Sequence, residues 1–138
     1  RGEEDIVIAA DTIVVCQGKV LGKPHSTRQA QEMLSALSGR EHTVYTGVTV
    51  CRGHELLTEH EATAVRFRLL TQEEIAAYIA TGEPMDKAGA YGIQGRGALL
   101  VEGISGDYFN VVGLPVCRLG RMLFQFGVDP LTWSREKE

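Results

Sequence analysis

Two alternating segments in the middle of the chain constrain the fold more than any other feature. The first, residues 44–50, places a β-branched residue at every second position. The second, residues 56–70, repeats this period, and one face of it carries Thr63, Val65, Phe67 and Leu69. A period of two is typical of a strand with one buried face. Since the turn-forming residues 52–55 separate the segments, the sequence predicts an antiparallel hairpin.

Shorter signals on both sides of the hairpin predict further strands and helices. Residues 5–10 form an apolar run that predicts a strand buried on both faces. Residues 12–16 and 20–21 predict a second hairpin, and residues 98–101 predict another strand. Helices are expected after the capping-box pairs Ser26 with Gln29 and Thr71 with Glu74, and from residue 116 to 126, where Met122, Leu123 and Phe126 predict a core stripe.

This mixture of strands and helices predicts one domain of mixed α/β or α+β class. We expect the domain to occupy residues 1–128 and a frayed tail to occupy residues 129–138. A length of 138 residues is enough for one hydrophobic core but leaves little room for a second domain.

Charge and hydropathy exclude two classes of partner. The formal net charge is −4, which argues against a protein that binds nucleic acid by neutralising its phosphates broadly. No apolar run approaches the roughly 18 residues that a membrane span needs. We therefore expect neither nucleic acid nor membrane as a partner.

Three cysteines, Cys16, Cys51 and Cys117, are widely spaced and form no C-x-x-C pair. Each has apolar neighbours, which predicts buried and unreactive thiols rather than a metal or redox site. Free thiols also suit a reducing cytoplasm.

A stretch rich in glycine indicates where a ligand could bind. The chain has 16 glycines, and half of them lie between residues 82 and 113. Glu83, Asp86, Lys87 and Gln94 lie among them, where Gly89, Gly92 and Gly95 would let the backbone approach an anion closely. The stretch matches neither the phosphate-binding G-x-x-x-x-G-K-[ST] loop nor the dinucleotide turn, so spacing alone is a weak signal.

Four further polar residues each allow two interpretations. Asp11 follows an apolar run, where a carboxylate can bind a divalent metal or accept a proton from water, or else cap a turn. Lys23 is either a solvated surface lysine or a phosphate contact. Asp107 and Asn110 are either turn formers or ligand contacts. His42 is expected to form hydrogen bonds in a loop rather than to ligate a metal.

Five motifs, taken together and in order, resemble the Maf-like nucleotide pyrophosphatases, and the resemblance covers nearly the whole chain. The matching residues are Ala10-Asp11-Thr12, Gly22-Lys23-Pro24, Ser38-Gly39-x-x-His42 with Thr46-Gly47, Glu83-Pro-x-Asp-Lys-Ala-Gly-x-Tyr-Gly-Ile-Gln94, and Asn110-Val-Val-Gly-Leu-Pro115.

The resemblance implies a cytoplasmic enzyme that hydrolyses nucleoside triphosphates to monophosphate and pyrophosphate. It implies an inosine-triphosphatase-like fold, in which a mixed sheet forms two lobes around a central cleft. The implied cofactor is Mg²⁺ or Mn²⁺, and Asp11 would be both its ligand and the catalytic carboxylate. Lys23 and Lys87 would contact phosphates. Thr12 and Gln94 are similar to the residues of the branch that acts on dTTP and UTP.

The resemblance also concerns the N-terminal part of the chain, an alternative function and the oligomeric state. Members of this family begin with a strand and a Ser-x-Ser-x-Arg-Arg loop, and relative to that pattern we expect this sequence to lack the N-terminal part. The family is also associated with septum formation, so a nucleotide-binding regulator without turnover is the alternative function. A homodimer is compatible with the resemblance.

Overall fold

The structure, a computed structural model, describes residues 5–132. Its strands are β1 (Val7–Cys16), β2 (Lys19–Leu21), β3 (Glu41–Arg52), β4 (Glu55–Phe67) and β5 (Val101–Ser105). Its helices are α1 (Thr27–Leu37), α2 (Gln72–Ala80), α3 (Tyr108–Val112) and α4 (Val116–Phe124). Three 3₁₀ segments, Glu83–Asp86, Ala88–Ala90 and Gly95–Leu100, connect α2 to β5. Of the predicted tail, residues 133–138 lie outside the described residues.

The five strands form one sheet in the order β2-β1-β3-β4-β5. Every pair in this sheet is antiparallel. The predicted central hairpin is confirmed, because β3 and β4 pair from Glu41 with Arg66 to Arg52 with Glu55. On β3 the even-numbered residues from His42 to Val50 are buried, so the core lies on one face of the sheet. The predicted mixed α/β class is confirmed.

Strand β1 differs from the strand predicted at residues 5–10. It continues to Cys16 and is exposed from Val7 to Asp11, so the prediction of burial on both faces is wrong. The glycine-rich stretch packs on β1 at Val14, in its second half, and β2 is only three residues long and pairs only with residues 14–16. Among residues 5–132, the first half of β1 therefore pairs with β3 alone.

The position of Asp11 is also corrected. Asp11 and Thr12 pair with Gly47 and Thr46 in a continuous ladder, so Asp11 lies in the middle of a strand and not at its end. The hairpin predicted to follow is confirmed, with β1 and β2 joined through Gln17 and Gly18.

Helix α1 begins where the sequence predicts. The Ser26 side chain accepts a hydrogen bond from the Gln29 amide at 3.1 Å. The side chain of Gln29 accepts from the backbone amide of His25 rather than from that of Ser26, so only half of the predicted capping box forms. The helix ends before Gly39, which has φ of 67°. Its buried residues are Ala30, Leu34 and Leu37.

Helix α2 shows the complete capping box between Thr71 and Glu74. It packs beside α1 and buries Ile75 and Tyr78. The prediction for Leu69 is wrong, since this side chain is 80% exposed. β4 ends at Phe67, and the chain then turns so that the next apolar side chain, Leu70, becomes the buried one.

The strand predicted at residues 98–101 is also wrong. Residues 95–100 form a 3₁₀ segment that begins at Gly95, whose φ is 77°. Strand β5 begins only at Val101, because the paired part of β4 faces residues 101–105.

Helix α4 is confirmed, although it ends at Phe124, two residues before the predicted end. Val48 and Val50 form a second hydrophobic cluster with Leu119, Met122 and Phe126 of the helical region. Met122 and Phe126 are buried as predicted, while Leu123 is partly buried.

The cysteine prediction holds for one thiol. Cys16 is buried, Cys51 is half-buried and Cys117 is exposed. Cys117 precedes Leu119 by two positions on α4, so it lies on a side of the helix that does not face the sheet.

Candidate active site

One cavity of about 290 Å³ lies between β1 and the segments that follow α2 and α3. Its lining includes all five residues that the resemblance assigns to nucleotide chemistry: Asp11, Thr12, Lys23, Lys87 and Gln94. They come from three segments that are far apart in sequence, and the antiparallel sheet brings the segments together. The volume is near the lower end for small-molecule sites.

Asp11 and Thr12 enter the site from opposite faces of β1. Thr12 pairs with Thr46 on the core side of the sheet, and the two hydroxyls lie 2.9 Å apart. Neighbouring residues of a strand point to opposite faces, so Asp11 belongs to the other face. It is exposed and borders the cavity along the edge of β1, before the residues that pair with β2.

Two lysines and one further carboxylate make up the charged part of the cavity. Lys87 donates a hydrogen bond to Asp86 at 2.8 Å. This hydrogen bond and the charge of Lys87 lower the pKa of Asp86, and the charge of Lys23 lowers it further. Lys23 and Lys87 therefore lie on the same side of the cavity, near one carboxylate. Asp86 is in direct contact with Lys87 alone, so Lys23 has no ion pair among residues 5–132 and its ammonium group can meet an anionic ligand.

The turn that carries Lys23 is attached to the glycine-rich stretch by the backbone. Gly89 donates a hydrogen bond to the carbonyl oxygen of Gly22 at 3.1 Å. This bond joins the residue before Lys23 to the segment of Lys87, so the two lysines are held at a fixed spacing.

Three glycines of this stretch lie against side chains of the protein itself. A Cβ atom at Gly89 would lie 3.1 Å from Val14, one at Gly92 would lie 2.9 Å from Lys87, and one at Gly95 would lie 2.7 Å from Glu83. All three positions thus make room for side chains of the protein itself, and Gly92 also lines the cavity, so the close approach of this backbone to a nucleotide stays a prediction.

Asn110 is fully buried and is not the turn former that the sequence allowed. Its side-chain amide donates to the carbonyl oxygen of Val44 and to the hydroxyl of Thr63, both at 3.0 Å. The backbone carbonyl oxygen of Asn110 accepts a hydrogen bond from the Thr46 hydroxyl, which also contacts the Thr12 hydroxyl. Asp107 does cap a turn, since it accepts from the Phe109 amide at the start of α3.

Tyr91 lines the cavity, and His42 lies in contact with it, in a position that the sequence did not predict. His42 is a buried residue of β3 rather than a loop residue, and its Nε2 lies 2.7 Å from the Tyr91 hydroxyl. Burial lowers the pKa of His42 to about 4, so the ring is neutral at pH 7. The sequence contains a signal for the burial of His42. This residue precedes Val44 by two positions and therefore continues the buried face of the first alternating segment.

Gln94 lies in the loop that closes the other end of the cavity and is exposed. Residues 5–132 contain no group of three or more His, Cys, Asp or Glu side chains that could hold a metal ion. None of the helices described is long and apolar enough to cross a membrane.

Comparison with known proteins agrees with the resemblance. A family model described as "Maf-like protein" matches residues 1–126. A dTTP/UTP pyrophosphatase of Moorella thermoacetica is 63% identical over 133 residues, which cover 94% of this chain and 67% of that protein. One of Symbiobacterium thermophilum is 62% identical, with 92% and 66% covered. One of Bacillus cereus is 53% identical, with 94% and 68% covered. The chain thus spans about two thirds of the length of these curated relatives.

Proposed function

This chain belongs to the Maf-like protein family, and from that membership we propose that it hydrolyses dTTP and UTP to the nucleoside monophosphate and pyrophosphate. One observation supports the proposal most strongly: two lysines, a carboxylate, a hydroxyl and an amide from separate segments line a single cavity. The names of the relatives, dTTP/UTP pyrophosphatase, supply the substrates.

The phosphate end of the nucleotide would lie near Lys23 and Lys87. A triphosphate brings about four negative charges to a protein whose net charge is already −4. The two ammonium groups would offset part of this charge as it moves onto the leaving pyrophosphate. Water would attack the α-phosphorus, the bond from that phosphorus to the bridging oxygen would break, and Asp11 would accept the proton of the water.

The residues present fit a hydrated divalent cation that arrives with the nucleotide. Mg²⁺ is commonly bound by one or two carboxylates together with substrate phosphates, and Asp11 and Asp86 both line the cavity. When bound, Mg²⁺ or Mn²⁺ would neutralise phosphate charge and polarise the α-phosphate. Asp11 is the residue we assign to hold it, because Asp86 is already paired with Lys87.

The base end would lie near Gln94. A side-chain amide offers one acceptor and two donors, which match the N3–H donor and the O4 acceptor of uracil and thymine. Thr12 has its hydroxyl engaged by Thr46, so its position in the cavity is fixed. We assign Thr12 to the selection of substrate together with Gln94.

Replacing Asp11 tests the proposed function. The chain should release pyrophosphate from dTTP and UTP in the presence of Mg²⁺. Asp11→Asn should lower kcat roughly a thousandfold while nucleotide binding survives, because the amide neither accepts the proton of the water nor binds the cation well. Pyrophosphate release and calorimetric titration with UTP should be measured on the same samples.

Glu32→Gln is a suitable control, because Glu32 is an exposed carboxylate on α1 that, among residues 5–132, forms an ion pair only with Arg28. It should leave both measurements unchanged. Full turnover in Asp11→Asn would remove the assigned role. Binding of UTP without product from the unmodified chain would favour the regulator, and absence of both would overturn nucleotide chemistry altogether.

A further inference from the structure

The loop of residues 92–97 brings Gln94 to the cavity without holding its side chain. Gln94 lines the cavity and is exposed. Among residues 5–132, no side chain or backbone group is hydrogen-bonded to the Gln94 amide. Its position therefore depends on how firmly the backbone on both sides of it is held.

Two side chains behind the loop hold that backbone. The Tyr78 hydroxyl accepts a hydrogen bond from the Gly92 amide at 3.1 Å. The Glu83 carboxylate accepts from the amides of Arg96 and Gly97 at 3.1 and 2.9 Å. Tyr78 in turn donates to Glu83 at 2.6 Å, so the two attachments form one connected unit. Gln94 lies between them.

The close fit of the loop supports the same conclusion. A Cβ atom at Gly97 would overlap the carbonyl oxygen of Gly92 and would lie 2.7 Å from the Tyr78 hydroxyl. Because the Gly92 carbonyl oxygen is a backbone atom, it can move away from an added side chain only if the loop itself moves. The ends of the loop are packed against each other as well as against Tyr78.

The protonation states of Tyr78 and Glu83 fix the direction of the hydrogen bond between them. Burial tends to raise the pKa of Glu83, but hydrogen bonds from Tyr78 and from the two amides outweigh it, and the pKa is lowered. Burial and the contact with Glu83 raise the pKa of Tyr78 above its ordinary value. At neutral pH the carboxylate thus accepts and the phenol donates.

We propose that Tyr78 and Glu83 are positioning residues that hold Gln94 for recognition of a pyrimidine base. This assignment rests on the function proposed above and adds residues that do not touch the nucleotide. Since the base is remote from the phosphorus that reacts, loosening the loop should act mainly on binding of the preferred base, with a smaller effect on the chemical step through Lys87, which lies against Gly92.

Kinetics of Tyr78→Phe with UTP and CTP test the proposal. The substitution removes the acceptor for Gly92 and the donor to Glu83 while it keeps the ring. We expect the ratio of kcat/KM for UTP to that for CTP to fall roughly fivefold, through a higher KM for UTP, with kcat changed by less than about twofold. Tyr45→Phe is the matched control, because Tyr45 is a half-exposed residue on the other face of β3.

A double variant separates positioning from a general loss of structure. If Tyr78 acts through Gln94, adding Tyr78→Phe to Gln94→Ala should lower the ratio by less than about twofold beyond Gln94→Ala alone. An equal effect of Tyr78→Phe in both backgrounds would overturn the proposal, as would an unchanged ratio in the single variant.

Measurements that do not depend on catalysis test the positioning proposal separately from the proposed function. Amide hydrogen exchange at Gly92 and Gly97 should quicken more than roughly tenfold in Tyr78→Phe and in Glu83→Gln. If the unmodified chain binds UTP without turnover, calorimetric affinities for UTP and CTP replace the kinetic ratio. A chain that binds no nucleotide would overturn both proposals, whereas an active Tyr78→Phe variant with unchanged selectivity would overturn only the positioning proposal.

Discussion

At the scale of single residues, the site divides into groups satisfied by the protein and groups left for a ligand. The Thr12 hydroxyl contacts Thr46, whose hydroxyl also donates to the carbonyl oxygen of Asn110. The side-chain nitrogen of Asn110 continues the network to Thr63, whereas its Oδ1 is buried without a hydrogen-bond partner among residues 5–132. These groups form a connected polar floor, and such networks hold their members in one orientation. The ends of Lys23 and Gln94, by contrast, have no hydrogen-bond partner recorded among residues 5–132.

Gln94→Glu should change the order of preferred bases. A carboxylate keeps the acceptor for the N3–H of uracil but loses the donor to O4, whereas the amino group of cytosine can donate to the new oxygen. We expect kcat/KM for UTP and dTTP to fall about tenfold relative to that for CTP. Steady-state kinetics with the three nucleotides measures this.

The control for this variant is Gln31→Glu, because Gln31 is an exposed glutamine whose side chain contacts Gln72 away from the cavity. It should leave the order of bases unchanged. If the order is also unchanged in Gln94→Glu, Gln94 has no part in base recognition.

At the scale of elements, the site depends on segments that are neither strand nor α-helix. The chain from residue 83 to residue 100 forms three 3₁₀ segments, and left-handed residues lie within the second, at Gly89 and Ala90, and at the start of the third, at Gly95. Ala90 adopts φ of 66°, which is unfavourable for a residue with a side chain, and it is fully buried. The packing around the loop thus supports a conformation that the local sequence alone disfavours.

Gly97→Ala should destabilise the protein strongly. The added Cβ would overlap the Gly92 carbonyl oxygen, a backbone atom that moves only with the loop. We expect the free energy of unfolding to fall by more than about 2 kcal/mol in urea denaturation.

Gly103→Ala is the control, since Gly103 lies in β5 and a Cβ there meets no atom within 4 Å. Its free energy of unfolding should change by less than about 0.5 kcal/mol. Equal stability of Gly97→Ala and the original chain would show that the loop is not tightly packed.

At the scale of the whole molecule, one face of one sheet carries two hydrophobic clusters. The larger contains α1, α2 and the segments beside the cavity. The smaller contains α4 and the far half of β3. Arg118 of α4 reinforces the smaller cluster through hydrogen bonds of 2.6 Å to Glu59 and Glu61 of β4. The long hairpin thus joins the two clusters, and residues of α3, Val111 and Val112, line the cavity.

His42 should make this fold sensitive to acid between about pH 6.5 and pH 4. Its pKa is lowered from 6.5 to about 4, so in this window the unfolded chain binds a proton that the folded chain does not. The free energy of unfolding therefore decreases as the pH falls from 6.5 to 4, by about 3 kcal/mol in total from this group. Above pH 6.5 the ring of His42 is neutral in both the folded and the unfolded chain, so it causes no further change of the free energy of unfolding with pH.

Urea denaturation at pH 7 and at pH 5 measures the effect. The carboxyl groups with lowered pKa values, Glu74, Glu83 and Asp86, contribute at lower pH, so the decrease between these two values reports mainly on His42. His42→Gln should remove most of the decrease, and the exposed His54→Gln should retain it. An identical decrease in His42→Gln would assign the acid sensitivity to other groups.

Much of the framework is predictable because its signals are local. The capping residues Ser26 and Thr71 act on amides three positions away, and the alternation in β3 and β4 spans a few neighbouring residues. Predictions failed where pairing with a distant segment decided the outcome. β5 begins at Val101 because of where β4 ends, and the first half of β1 is exposed because the glycine-rich stretch packs on its second half and β2 is short.

The sequence by itself determined the starts of α1 and α2, the alternating buried face of the hairpin and, through its motifs, the resemblance to a family of pyrophosphatases. Only the tertiary structure decided that residues 11, 23, 87 and 94 share a cavity, that Asn110 is buried, and that Tyr78 and Glu83 hold the loop of Gln94. The physical reason is the separation along the chain of the residues that interact. A cap or a period of two is set by neighbours along the chain, whereas a cavity exists only after distant segments have packed and their polar groups have found partners.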